Sequence, residues 1–165
     1  MNSELITILA NLALTLSLIV AVIFGIAQVR AAARDRKERL TLDVLRNFQS
    51  REFAELIGFI TTHRAPATLE EMRALPEQEQ VLFIQFGQQM ESLGMLVSER
   101  LIDLDLVDKT LGSFVTSSWE RNKKLFLDIR KKNDDPFLAE YFQWLAEKIE
   151  KRMRENPRKP YHEMG

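Results

Sequence analysis

The chain has 165 residues, with 23 Lys and Arg against 24 Asp and Glu. Glu4 is the only charged residue before Arg30, so residues 30–165 carry no net charge. This balance disfavours nucleic acid as a partner, because phosphate backbones attract basic domains. The sequence contains no Cys, which excludes disulfides and thiolate chemistry.

The first predicted element is a transmembrane anchor over residues 1–29. The stretch from Leu5 to Val29 has 25 residues and no charge, and fifteen of them are Leu, Ile, Val or Phe. A helix rises about 1.5 Å per residue, so this length can cross a hydrocarbon core of about 30 Å. A cleaved signal peptide is the alternative, supported by Ala31-Ala32-Ala33. It is disfavoured because no basic residue precedes the stretch, which is also longer than the usual apolar core.

A basic segment follows the apolar stretch. Basic flanks stay in the cytoplasm, so the N-terminus is predicted outside the inner membrane and the C-terminal domain in the cytoplasm. The basic side chains are also candidate membrane-interface residues beside anionic lipid. The alternative is that they act only as a topology signal. These residues are Arg30, Arg34, Arg36, Lys37 and Arg39.

Small residues recur at every fourth position of the predicted span. They are Ala13, Ser17, Ala21 and Gly25. Small side chains at this spacing let two helix backbones approach closely, so this face is a candidate helix contact for self-association or for docking on a membrane protein. The alternative is that they are the ordinary filler of a span.

The anchor is predicted to continue through residues 30–66 as a juxtamembrane helix. No Gly or Pro interrupts it before Ser50, where the apolar spacing slips and a kink or restart is expected. Pro66 ends this stretch.

Residues 67–156 are predicted to form a helical cytosolic domain, followed by a disordered tail over residues 157–165. Thr68-Leu69-Glu70-Glu71 has the capping-box pattern, and Pro76 suits the first turn of the next helix. A further helix is expected from Asp105, and Asp135-Pro136 is expected to begin the last one. Strand alternation is absent, so the fold class is predicted as all-α: the anchor followed by a bundle of four to five helices.

No catalytic, metal-binding or cofactor-binding residue is predicted. His63 and His162 are far apart, and the sequence contains no Glu-x-x-His motif, nucleophile elbow or phosphate-binding loop. Five carboxylates between positions 91 and 108 could be imagined as a site, but the three aspartates among them are interpreted as helix caps. The five are Glu91, Glu99, Asp103, Asp105 and Asp108.

The two tryptophans are interpreted as core residues. Trp119 precedes the basic side chains Arg121, Lys123 and Lys124, which could contact phosphates while Trp119 stacks on a base. The favoured interpretation is that Trp119 packs inward while these cations face water. Trp144, beside Tyr141 and Phe142, is likewise expected in the core, and exposure there would indicate a partner surface.

Several motifs follow the predicted span and its Arg-rich helix. They are Leu45-Arg46-Asn47-Phe48 before Ser50-Arg51-Glu52-Phe53, Glu91-Ser92-Leu93-Gly94 before Leu101-Ile102-Asp103, and Trp119 in a charged helix. With these motifs, the layout resembles a family of uncharacterised bacterial single-span membrane proteins with a helical cytosolic domain of unknown function. The resemblance covers nearly the whole chain. It implies the same topology and supplies no catalytic residues.

These observations lead us to expect a membrane-anchored, non-enzymatic interaction or scaffold protein. It would contact membrane lipid and a protein partner or a second copy of itself, with no cofactor. The alternative is a membrane-tethered small-ligand sensor or enzyme with a site between helices.

Overall fold

The computed structural model describes residues 3–159 and 161–163, and within them only helices and connecting turns occur. Five helices follow the apolar one, which confirms the all-α prediction. They are α1 (Ser3–Asn47), α2 (Arg51–Thr62), α3 (Leu69–Arg73), α4 (Glu77–Ser98), α5 (Leu104–Asn133) and α6 (Glu140–Glu155), before a 3₁₀ turn at Tyr161–Glu163.

The chain divides into two compact units, residues 1–39 and residues 40–165. The described part of the first unit consists of α1 alone. Its mean hydropathy reaches 2.5 over 18 residues, and none of that window is buried. The helix is therefore long and apolar enough to cross a membrane.

The predicted break near Ser50 is confirmed. α1 ends at Asn47 in a turn, and Ser50 then caps α2 by accepting a hydrogen bond from the Phe53 backbone N–H at 3.1 Å. This satisfies one of the unpaired amides at the start of the new helix.

The last turns of α1 belong to the second unit. Thr41 and Leu45 are buried there, and the Thr41 hydroxyl accepts a hydrogen bond from the Asp103 N–H at 2.9 Å. Asp103 in turn caps α5, because its carboxylate accepts from the N–H groups of Asp105 and Leu106. The helix that begins in the apolar stretch thus ends as a packed element beside the start of α5.

α6 lies at the centre of the second unit, where it packs against both α4 and α5. Its Phe142 is fully buried and meets the rings of Phe86, Trp119 and Phe126 edge-on, at centroid distances of 5.6, 5.2 and 5.8 Å. Such edge-to-face pairs add to the free energy gained by burying the rings. The prediction that Trp119 belongs to the core is confirmed.

The prediction that Trp144 lies in the core is wrong, since 37% of this side chain is exposed. The core-facing residues of α6 include Phe142, Leu145 and Ile149. Trp144 comes two positions after Phe142, which turns it about 200° around the helix and away from the core.

Gly94 allows α4 and α6 to approach closely. A Cβ atom at this position would lie 2.2 Å from the Tyr141 carbonyl oxygen. Only the absence of a side chain permits this contact between backbones.

The last helix does not begin at Asp135-Pro136, contrary to the prediction. Asp135 caps a turn instead, since its side chain accepts from the Phe137 N–H at 3.0 Å. α6 begins at Glu140, after Ala139, which has a φ of 57°. This left-handed residue separates the turn from the helix.

Candidate functional site

The small residues of the predicted helix contact all lie on α1 and are exposed. They are Ala13, Ser17, Ala21 and Gly25. A Cβ atom added at Gly25 would meet nothing within 4 Å. The face of these four residues is therefore open in the described chain, with no protein group packed on it.

The basic side chains of the predicted membrane interface follow on the same helix. Arg30, Arg34, Arg36 and Arg39 are exposed, while Lys37 is half-buried. Four exposed guanidinium groups within about three turns form a concentrated positive charge next to the apolar stretch.

The five carboxylates considered in the sequence do not converge on one site. Asp103 caps α5, as predicted, whereas the prediction is wrong for Asp105 and Asp108, which lie inside α5. Glu91 caps α6 from the neighbouring helix. The Glu91 oxygens accept hydrogen bonds from the Tyr141 and Phe142 N–H groups, at 3.3 and 2.9 Å. Glu91 thus supplies the cap that Ala139 lacks. Sequence reasoning missed this role, because nothing in the pattern around position 91 indicates a partner 50 residues away.

Asp108 is a buried charge, since its side chain is 1% exposed. Arg158 donates to its Oδ1 at 3.1 Å, and the Nε of Arg152 lies 3.6 Å from its Oδ2. Two guanidinium groups thus offset the desolvation of one carboxylate. Arg158 belongs to the segment predicted to be disordered. Disorder of this segment stays a prediction, and Pro160, Met164 and Gly165 lie outside the described residues.

Asp105 joins this charge cluster from the first turn of α5. It pairs with Lys109 at 2.5 Å and with Arg152. The hydrogen bond from Lys109, together with the positive charges of Lys109 and Arg152, lowers the pKa of Asp105. All partners of this cluster are protein groups, and its contacts join α5, α6 and the segment after α6.

A second charge cluster joins α3 to α5. Lys132 donates to Asp128 at 2.7 Å and also pairs with Glu70, while Asp128 accepts from the Leu69 N–H at 2.8 Å. The hydrogen bonds from Lys132 lower the pKa of both carboxyl groups, and these bonds in turn raise the pKa of Lys132.

The basic side chains near Trp119 are partly engaged with the protein itself. Arg121 donates to the His63 carbonyl at 2.6 Å, and Lys123 pairs with Glu120 at 2.6 Å. These contacts turn two of the cations toward acceptors on the surface of the domain.

A groove of about 630 Å³ lies between the end of α1, the start of α2 and the middle of α4. Four amide side chains line it, and we call it the amide groove: Asn47, Gln85, Gln88 and Gln89. Its other lining residues are Ser50, Ser92 and Glu52, with an apolar part formed by Val44, Phe48, Leu93 and Leu96. The only signal in the sequence was the density of glutamines between positions 85 and 89.

One polar atom of the Gln89 side chain in the amide groove lacks a partner. Its Oε1 is buried and accepts no hydrogen bond from any described residue. A buried polar atom without a partner costs about 1–3 kcal/mol.

A smaller cavity of about 270 Å³ lies on a neighbouring face of α4, and Gln88 lines both cavities. Its wall is mostly apolar and includes Phe83, Phe126 and Leu138. Glu91 also lines the cavity, but its two oxygens are already engaged with the start of α6. Within residues 3–159 and 161–163, no three His, Cys, Asp or Glu side chains are grouped so as to hold a metal ion.

These features define an all-helical protein in which a helix long and apolar enough to span a membrane leads into a folded helical unit. The chain belongs to the family described as domain of unknown function DUF4760, whose model matches residues 15–149. The match includes the second half of the apolar stretch and all six α-helices in whole or in part. No curated protein and no solved structure matches the chain.

Proposed function

We propose that the protein is a membrane-anchored, non-enzymatic interaction or scaffold protein of bacteria. α1 spans the inner membrane with its N-terminus outside, and the unit formed by residues 40–165 lies in the cytoplasm. The protein acts by holding a partner, or a second copy of itself, at the membrane surface.

The observation that carries this proposal is the exposure of the whole apolar stretch. Each residue from Leu5 to Val29 is exposed to the surroundings of α1. A water-soluble protein rarely exposes so large an apolar surface, whereas lipid covers it without loss. The positive charge from Arg30 onward supports a cytoplasmic position for the folded unit.

Labelling of single cysteines tests the anchor and its orientation, because the chain has no Cys of its own. We expect Ser3→Cys to react with an impermeant maleimide from outside the inner membrane. Ser113→Cys, exposed on α5, should react only after the membrane is opened. The reverse pattern, or a mature chain whose mass lacks the first 30 or so residues, would contradict the proposed topology.

Crosslinking in native membranes tests the interaction role. The full chain should be recovered with a discrete partner or as a dimer, and the mass of the adduct distinguishes these two results. Recovery of monomer alone at several crosslinker lengths would contradict the proposal.

A tethered small-ligand sensor is the second candidate, and the apolar cavity beside Phe126 favours it. An apolar ligand of moderate size would be its occupant. Blocking the cavity from its exposed rim with Ile84→Trp should then abolish binding of a fluorescent apolar probe and leave crosslinking to a partner unchanged.

A further inference from the structure

The amide groove offers both hydrogen-bond donors and hydrogen-bond acceptors to a ligand. A side-chain amide has an oxygen that accepts and an NH₂ group that donates, and this matches the C=O and N–H groups of a peptide bond. Asn47, Gln88 and Gln89 bring such amides from α1 and α4 to one groove. A ligand with donors alone or acceptors alone would leave half of these groups unused.

Gln89 gives the amide groove a reason to bind a ligand. Its Oε1 has no partner among the described residues, and a glutamine side chain can move its whole amide by changing rotamer about χ1 and χ2. Turning this amide into the groove to meet a ligand would satisfy a group that is otherwise unpaired. A flip of the terminal torsion alone would only bury the NH₂ group in place of the oxygen, so the whole amide must move, and a peptide group in the groove can then pair with both of its ends.

The length of the groove favours an extended chain over a compact ligand. Its lining on α4 runs from Gln85 to Leu96, which corresponds to about 16 Å of helix. An extended peptide rises about 3.3 Å per residue, so about five residues cover this distance. A single sugar ring or nucleobase would occupy only part of it.

The charge of the groove selects among peptides. Glu52 is its only ionisable lining residue, and among the described residues its carboxylate has no partner. Without a lining Lys or Arg the groove has no counter-charge for a phosphate or an acidic side chain. A basic side chain beside Glu52 would be favourable, and the apolar surface of Phe48 and Leu96 can cover its aliphatic part.

We infer that the amide groove binds an extended segment, about five residues long and carrying a Lys or Arg, of a partner protein. This inference deepens the proposed scaffold function by naming the surface and the chemistry of the partner.

Peptide pools provide the test. The full-length protein is placed in nanodiscs of neutral phosphatidylcholine and mixed with acetylated, amidated random pentapeptides in which one position is fixed as Lys or as Glu. We expect nanodiscs that carry the protein to retain more of the Lys pools than empty nanodiscs do. The Glu pools should be retained no better than by empty nanodiscs. If no pool exceeds the empty nanodiscs, or if Lys and Glu pools are retained equally, the inference is wrong.

Variants of the groove then locate the binding site of the best peptide. Gln89→Leu should weaken its binding about tenfold, since one hydrogen-bonding group is removed. Gln78→Leu, the same change on an exposed part of α4 outside the groove, should leave binding unchanged. Ser92→Tyr blocks the groove from its exposed rim and should also weaken binding, which guards against a folding defect in Gln89→Leu. Equal binding by all three variants would overturn the inference.

Two further results separate this inference from its alternatives. If the wild-type protein forms a dimer that Gln89→Leu abolishes, a second copy occupies the groove and the partner-peptide inference is wrong. If native membranes yield the same crosslinked partner from wild type, Gln89→Leu and Ser92→Tyr, the groove inference fails and the scaffold function stands. If the crosslinked partner is lost only in Gln89→Leu and Ser92→Tyr, the result supports both the groove inference and the scaffold function.

Discussion

At the scale of single residues, two glycines should respond in opposite ways to the same added methyl group. A Cβ at Gly94 would clash with the Tyr141 backbone, whereas a Cβ at Gly58 of α2 meets nothing within 4 Å. Gly94→Ala should lower the free energy of unfolding by about 3 kcal/mol, because backbone must move to admit it. Gly58→Ala should raise it by about 0.5–1 kcal/mol, because alanine loses less conformational entropy in a helix.

Denaturant unfolding of the full chain in detergent micelles, followed by tryptophan fluorescence, measures both changes. Both tryptophans lie in the unit of residues 40–165 and report its unfolding. Similar unfolding midpoints for the two alanine variants would contradict the close approach of α4 to the Tyr141 backbone.

The Lys132 cluster should make part of the stability depend on pH. The hydrogen bond from Lys132 lowers the pKa of Asp128 in the folded state. The stability that this hydrogen bond contributes is therefore present above the pKa that Asp128 has in the unfolded chain. It is lost as the pH falls through the lower pKa that Asp128 has in the folded state. Between about pH 4 and pH 2 the wild type should lose thermal stability, and Asp128→Asn should lose less over that interval.

Asp43→Asn is a suitable control for this experiment, because it removes an exposed carboxylate whose partner Arg46 is also exposed. Such pairs contribute little to stability. Thermal unfolding midpoints at pH 7 and pH 3 provide the comparison. An identical acid-induced decrease in wild type and Asp128→Asn would show that Asp128 has no such role.

At the scale of helices, the start of α6 depends on α4. The Glu91 carboxylate satisfies the Tyr141 and Phe142 amides, and Ala139 contributes no side-chain cap. Glu91→Leu should lower the free energy of unfolding by about 2 kcal/mol, because both amides would lose a charged acceptor. Glu91→Gln keeps one acceptor oxygen and should have a smaller effect.

Amide hydrogen exchange tests the role of Glu91 directly. The Tyr141 and Phe142 amides should exchange faster in Glu91→Leu, while amides in the middle of α5 keep their protection. Glu99→Leu, an exposed change at the end of the same helix, is the control. Unchanged exchange at the start of α6 would mean that the cap contributes nothing.

At the scale of the whole molecule, local features could be predicted and distant contacts could not. Ser50 and Asp103 accept from amides two or three positions later, so each cap is visible in its own segment. Glu91 caps a helix 50 residues away, and Arg158 reaches Asp108 over the same separation. Only the packing of α4, α5 and α6 brings these groups together.

The same distinction applies to the candidate sites. The exposed face of α1 could be predicted, because the spacing of Ala21 and Gly25 on one helix decides which side chains share a side. The amide groove could not, since Asn47 and Gln89 meet only when the end of α1 lies beside α4. Asp135 shows the converse. Its local sequence is typical of a helix cap, but its side chain caps a turn and the helix begins five residues later.

The open face of α1 leads to a prediction for the assembled protein in the membrane. If self-association uses this face, Ala21→Leu combined with Gly25→Leu should weaken it about tenfold, because the larger side chains keep the two backbones apart. A membrane reporter of helix association and crosslinking of the full chain should agree. Ala27→Leu adds the same bulk two positions after Gly25, on a different side of the helix, and should leave association unchanged.

The effect of this double variant on association also shows which part of the protein contacts a second copy. Loss of the dimer in the double variant alone would place the contact in the span and leave the amide groove free for a partner. A dimer that survives the double variant would make these small residues ordinary filler of the span. The contact would then lie elsewhere in the chain, and Trp144 in residues 40–165 is an exposed aromatic available for it.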